Sequence, residues 1–221
     1  MVLLYSTYLY QGLIIFLTLI SNRLNSKERH GQRMNKRFVE AVEASPVIAA
    51  VKDMDGLNKC FESESKIVFI LFGDICNIVD IINTVKSQGR IAIVHIDLIS
   101  GLSQKEISVD FIKNNTQVDG IISTKLNLIK RAKELRLFTV FRFFVIDSMA
   151  FENIKKQSEA VEPDYVEILP GVMPKVIKRI SNLIKVPVIV GGLIADKEDV
   201  VAALSAGAVS ISTTNQAVWF M

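Results

Sequence analysis

The stretch PVIVGGLIADKEDVVAALSAGAVSISTTN, Pro187 to Asn215, decides how this chain is read. Val188–Val190 is a short β-branched run, the composition of a strand buried on both faces. Gly191 and Gly192 follow at once. Asp196 is placed to cap a helix from about Lys197 to Ala206, and Gly207 ends it. Val209–Ser212 predicts a second strand, after which Thr213, Thr214 and Asn215 open another short helix. Strand, Gly-Gly, helix, Gly, strand, Thr-Thr-Asn is how the last two units of a (β/α)₈ barrel commonly hold a phosphate. Glycines let backbone N–H groups approach an anion, and a helix N-terminus points free N–H groups at it. Gly-Gly alone would equally serve as a tight turn in any α/β protein. The Ser-Thr-Thr-Asn turn after the next strand favours phosphate, so Gly191, Gly192, Ser212, Thr213, Thr214 and Asn215 are candidate phosphate-binding residues.

Working back from this stretch, the same alternation repeats. Expected strands are Val47–Val51, Ile67–Leu71, Ile91–His95 running on into Ile96–Leu98, Gly120–Ile122, Phe138–Phe144 and Tyr165–Leu169. Between them fall expected helices over Asp55–Glu62, Cys76–Ser87, Gln104–Asn114, Leu126–Arg136, Met149–Val161 (capped by Ser148 or Asp147) and Pro174–Leu183, with proline in the last one's first turn. A short amphipathic helix, Phe38–Ala44, precedes them and is suited to plugging the bottom of a barrel. Eight regular units make a compact TIM barrel; a doubly wound open sheet is the alternative, and the phosphate turn at the end favours closure.

Composition narrows the function. The chain has 221 residues, enough for one domain with a large core. Cys60 and Cys76 form no metal-type spacing and suit free thiols in a reducing compartment, and with only His30 and His95 besides, neither a metal site nor a cofactor is expected. The net charge of +3 comes from the N-terminal segment, where Arg23, Lys27, Arg29, Arg33, Lys36 and Arg37 outnumber Glu28, Glu40 and Glu43. The remainder is neutral, which argues against non-specific coating of nucleic acid; any such contact must use a local patch. Residues 1–33 are expected to be an extension preceding a single barrel domain over 34–221, with Met34 as the true start. The run Leu13–Leu19 followed by basic residues would suit a membrane anchor with the body in the cytoplasm. Polar residues dilute that run, so no membrane is expected unless residues 1–22 are retained.

At the C-terminal ends of the strands, where such barrels place their sites, stand Lys52, His95, Asp97, Arg142 and Glu167. Lys52, His95, Arg142 and Glu167 come from four strands and would converge on one small polar ligand. Arg142 lies between Phe141 and Phe143, so its charge needs an anionic partner, either Glu167 or the ligand. Glu167 and Arg142 would equally make a purely structural ion pair, and His95 a hydrogen-bonded core histidine. Glu167 is the best candidate for the paired hydroxyls of a polyol.

From about Asn35 to Trp219 the chain resembles the glycerol-3-phosphate-responsive antiterminators, regulators of glycerol uptake operons. The matching pieces, in order, are PVIAAVKDM, VHIDLISGL, GIISTK, FRFF, PDYVEILPGVMPK, VGGLI, EDVVAALSAGA and SISTTN. Lys125 stands where arginine is expected, and FRFF where Gln-Arg-Leu-Phe is more typical; both keep the positive charge. The resemblance implies a cytoplasmic, non-catalytic TIM barrel with glycerol 3-phosphate as its effector ligand. It further implies that the protein binds the leader mRNA of a glycerol operon and prevents premature termination of transcription.

Beside that, the phosphate turns suit the phosphate of the ligand, and Glu167, His95 and Asp97 its hydroxyls. For RNA the most basic stretch of the body is Lys125, Lys130, Arg131, Lys133, Arg136 and Arg142; a second cluster is Lys175, Lys178, Arg179 and Lys185. Such groups contact phosphates without choosing sequence, and each cluster by itself better suits a solvated helix face. Ligand would order the strand-end loops and bias the barrel, or a homo-oligomer of it, toward an RNA-competent state. The competing reading is a phospho-sugar isomerase or epimerase using Lys52, His95 and Glu167 as electrophile, acid and base. An aldolase is disfavoured, because the sixth strand offers no Schiff-base lysine.

Overall fold

Eight short apolar strands close a ring in the computed structural model, which describes residues 36–221. The expectations for residues 1–33 lie outside the described residues. Helix α1 covers 36–44. The repeating units follow: β1 Val47–Val51 and α2 Met54–Cys60; β2 Ile67–Ile70 and α3 Ile78–Ser87; β3 Ile91–His95 and α4 Glu106–Asn115; β4 Gly120–Ser123 and α5 Leu126–Glu134. Then come β5 Phe138–Phe144 and α6 Ser148–Val161; β6 Tyr165–Leu169 and α7 Pro174–Leu183; β7 Val188–Gly191 and α8 Lys197–Ser205; and β8 Ser210–Thr213. Every pair of neighbouring strands is parallel, and β8 pairs back onto β1 through Val47 opposite Ile211 and Ile48 opposite Ser212. This is the compact (β/α)₈ barrel read from the sequence, not an open sheet.

Alternation within each strand separates two cores. Outward side chains such as Val68, Val94, Ile121, Val166 and Val190 pack under the helices. Inward ones such as Ile48, Phe69, Ile93, Ile122, Val140 and Ile189 fill the barrel. Helix α1 closes the bottom, as expected. Phe38 is fully buried, stacks on Phe138 with ring centroids 4.3 Å apart, and lies 4.7 Å from the Tyr165 ring. Asp119 accepts from Lys86 at 2.6 Å, from the Ala92 N–H at 2.9 Å and from Arg37 of α1 at 3.5 Å. The plug is thus held by aromatic burial and by the cluster of Arg37, Asp119 and Lys86.

Several boundaries differ from the sequence reading, each for a local reason. Ile96–Leu98 is a 3-10 turn and not a continuation of β3. It swings Asp97 to the end of β4, where its carboxylate accepts from Ser123 Oγ and from the Thr124 N–H and hydroxyl. Helix α3 starts two residues late because Asp74 accepts from the Cys76 and Asn77 N–H groups and holds them in a turn. Helix α5 stops at Glu134, and Arg136 sits beyond it at φ +59°. Helix α6 is capped by Asp147, which accepts from the Ala150 N–H at 3.0 Å. Thr213 belongs to β8, and the expected Thr213–Asn215 helix start becomes a 3-10 turn, Gln216–Phe220, capped by the Asn215 side chain. Cys60 is buried, Cys76 is exposed, and both thiols are free. No helix among the described residues is long and apolar enough to cross a membrane.

Candidate functional site

The polar layer at the top of the barrel follows from strand parity. Arg142 on β5 and Glu167 on β6 are register partners, and so are Gly191 on β7 and Ser212 on β8. Arg142 is 8% exposed and Glu167 fully buried. Arg142 Nε donates to Glu167 Oε2 at 2.6 Å, and Ser212 Oγ donates to Glu167 Oε1 at 2.5 Å. Burying this much charge is tolerable only because each carboxylate oxygen has a donor. Gly191 is required here: a Cβ on it would collide with Ser212 Oγ and lie 3.0 Å from Glu167 Oε1. The glycine read from sequence as room for a ligand therefore first makes room for this network.

His95 at the end of β3 is 3% exposed, and its Nδ1 has no hydrogen-bond partner. Burial, and after it the Arg142 cation, push its pKa down to about 4 against the pull of Asp97 and Glu167. The imidazole is therefore neutral at physiological pH.

A cavity of about 460 Å³ opens above the network, between the turns singled out in the sequence. Arg142, Gly192, Ser212, Thr213, Thr214 and Asn215 line it, together with the apolar side chains of Ala50, Leu71, Leu169, Leu193 and Ile194. The Gly-Gly turn is a left-handed pair, with Gly192 at φ +74° and Leu193 at φ +63°. Glycine adopts that conformation freely; leucine does so only where its surroundings hold it. The two turns are tied together: Thr213 Oγ1 donates to Ile194 O at 3.1 Å, and Asn215 Nδ2 to Ala195 O at 2.9 Å. Among the described residues, the N–H groups of Leu193, Ile194 and Thr214, which lie outside the strands, make no hydrogen bond to another part of the chain. The ion pair engages Arg142 only through Nε, and the guanidinium lines the cavity. Free amides and a fixed guanidinium among the residues that line one cavity are the components an anion site uses.

The structure brings some candidates together and separates others. Arg142 and the glycine, serine, threonine and asparagine turns share the cavity. Asp97 and Glu167 are near it but spent on Ser123, Thr124, Arg142 and Ser212. Lys52 is exposed and does not line the cavity. The convergence of Lys52, His95, Arg142 and Glu167 on one ligand is therefore not what the geometry offers. The apolar wall was missed by sequence reasoning, which weighs polar residues at strand ends. Its signal was available, since Ala50 and Leu169 occupy inward positions at the tops of their strands and Leu71 follows β2 directly.

The basic residues also divide. Arg131 is held by Asp110 at 2.6 Å and Glu134 at 2.9 Å, which ties α4 to α5. Lys133 Nζ donates to the Glu162 carbonyl. Arg179 lies over the Phe151 ring at 4.6 Å. Lys125 is half-buried just before α5, whereas Lys130, Arg136, Lys175, Lys178 and Lys185 are exposed. Helix α5 packs against α4 and α6, and α7 against α8, so the two basic clusters do not merge into one face. Among the described residues, no group of three His, Cys, Asp or Glu side chains is placed to hold a metal ion.

A closed (β/α)₈ ring with a cavity at the C-terminal ends of its strands makes this molecule a compact TIM barrel. Comparison with known proteins narrows the class. The model of the glycerol-3-phosphate responsive antiterminator family matches residues 47–219, and the chain belongs to that family. The crystal structure of a glycerol uptake operon antiterminator regulatory protein from Listeria monocytogenes superposes with a TM-score of 0.76 at 29% identity, covering 78% of this chain and 94% of that one. A glycerol uptake operon antiterminator-related protein from Thermotoga maritima gives 0.69 at 33% identity, covering 78% and 96%. Uncharacterized protein YgcP of Escherichia coli (strain K12) is 45% identical over 182 residues, 82% of this chain and 95% of that one. An N-acetylmannosamine-6-phosphate 2-epimerase from Clostridium perfringens shares only the fold, at 15% identity and a TM-score of 0.63. The family is thus one of regulators, and the enzymes that share the barrel are distant from it.

Proposed function

We propose that this protein is a cytoplasmic antiterminator whose cavity binds glycerol 3-phosphate and which then binds the leader mRNA of a glycerol operon, preventing premature termination. The observation that carries the reading is the Arg142 guanidinium, held by Glu167 and lining the same cavity as the unengaged amides of Leu193, Ile194 and Thr214. A phosphate monoester placed there receives charge-assisted hydrogen bonds from groups that need no rearrangement. Family membership and the two antiterminator neighbours support the regulatory half of the reading.

The cavity is joined to the rim by backbone hydrogen bonds. Gly171 N–H donates to Gly192 O at 3.0 Å, and Val145 N–H donates to Leu169 O at 2.8 Å. Ligand at Gly192 and Leu169 therefore bears on the loops before α7 and α6. Those loops lead to Lys175 and Lys178, exposed cations suited to RNA phosphates. Differential ligand affinity for two arrangements of these loops, in the monomer or in a homo-oligomer, is what couples the sites. The isomerase reading is disfavoured, because Glu167 is fully buried against Arg142 and Ser212 and does not line the cavity.

The test is leader-RNA affinity with and without glycerol 3-phosphate at one salt concentration. Tighter binding with ligand is expected; equal affinities overturn the sensing mechanism.

A further inference from the structure

Donors and acceptors are unevenly distributed in the cavity. Its unengaged groups are mostly donors: the amides of Leu193, Ile194 and Thr214, the free edge of the Arg142 guanidinium and the Thr214 hydroxyl, which also accepts. The other polar side chains of the wall already make hydrogen bonds within the chain, and none of them is a carboxylate. Ser212 Oγ is bound to Glu167, Thr213 Oγ1 donates to Ile194 O, and Asn215 spends Nδ2 on Ala195 O and Oδ1 on the Ala217 N–H. The rest of the lining includes the side chains of Ala50, Leu71, Leu169 and Ile194, which neither donate nor accept. The carboxylates that would pair with hydroxyls, Asp97 and Glu167, are engaged elsewhere and do not line the cavity. A volume of about 460 Å³ also leaves a three-carbon chain room to turn.

We infer that the cavity reads the phosphate, and not the hydroxyls or the handedness of the carbon chain that it esterifies. It is a site for small phosphate monoesters as a class. This deepens the ligand-sensing reading above and rests on it. The physical contrast is large. A pocket built to hydrogen-bond a hydroxyl rejects the analogue lacking it by about 10⁴-fold, whereas an apolar wall discriminates weakly.

The experiment is calorimetric titration of the full chain at one pH and salt concentration with five probes. These are sn-glycerol 3-phosphate, its mirror image sn-glycerol 1-phosphate, dihydroxyacetone phosphate, n-propyl phosphate and glycerol. The three analogue esters are expected to bind with Kd within about tenfold of sn-glycerol 3-phosphate, while glycerol does not bind. If sn-glycerol 3-phosphate binds and either n-propyl phosphate or the mirror image is weaker by more than that, the class reading is overturned and the antiterminator reading stands. If none of the esters binds, both fail.

Discussion

At the bottom of the barrel Phe38 seals the interior against Phe138 and Tyr165, and Asp119 meets Lys86, Arg37 and a backbone amide. At the top an arginine and a glutamate are buried side by side, a histidine nitrogen goes unpartnered, and several amides have no acceptor. Both ends finish the same eight strands. The bottom spends its aromatic rings and the Asp119 charge cluster on the chain itself and so contributes stability; the top leaves a defined set of groups unsatisfied and so has something to offer a ligand. In this fold the asymmetry is built in, since loops after the strands face one end only.

The comparison is broken most severely by removing Glu167. Glu167→Ala leaves the Arg142 charge buried without its counter-ion, and a loss of about 3–5 kcal/mol in urea unfolding is expected, together with weaker ligand binding. Phe38→Ala should cost a similar amount, about 3–5 kcal/mol, by opening the plug. Its glycerol 3-phosphate affinity should stay within about twofold, because the two ends are far enough apart to act independently. A Phe38 variant that lost ligand as strongly as the Glu167 variant would erase the distinction between the ends.

His95 sharpens the contrast through pH. Its pKa is near 4 in the fold and near 6.5 when exposed, so below pH 6.5 the unfolded chain takes up a proton that the folded one refuses. That contribution to stability is fully present above pH 6.5 and is lost as pH falls toward 4, by up to about 3 kcal/mol. Unfolding of His95→Gln against the parent chain over this window should show a flatter slope; parallel curves would refute the assignment.

Smaller effects should follow at the ligand and at the surface. Arg142→Lys keeps the charge but loses the fork, and glycerol 3-phosphate affinity should fall by about tenfold or more in titration. Lys175→Ala with Lys178→Ala should weaken leader-RNA binding evenly across sequences and reduce the salt slope by about 2. Arg131→Gln should leave that slope unchanged, since Arg131 is already committed to Asp110 and Glu134.

The sequence by itself determined the barrel. Short β-branched runs at regular spacing, with capping residues such as Asp196 and a proline at the start of α7, carry local information that tertiary packing had only to accept. It also located the two turns at the mouth, because glycine pairs and hydroxyl-amide corners have conformations of their own. Only the tertiary structure decided how Glu167 is used. Its partners lie 25 and 45 residues away, and whether a carboxylate meets a ligand or an arginine depends on strand register. The same holds for Asp97, redirected by a 3-10 turn, and for Arg131, paired across two helices. A residue type states what a side chain can bind; which groups are left free to bind anything else is settled only when the barrel closes.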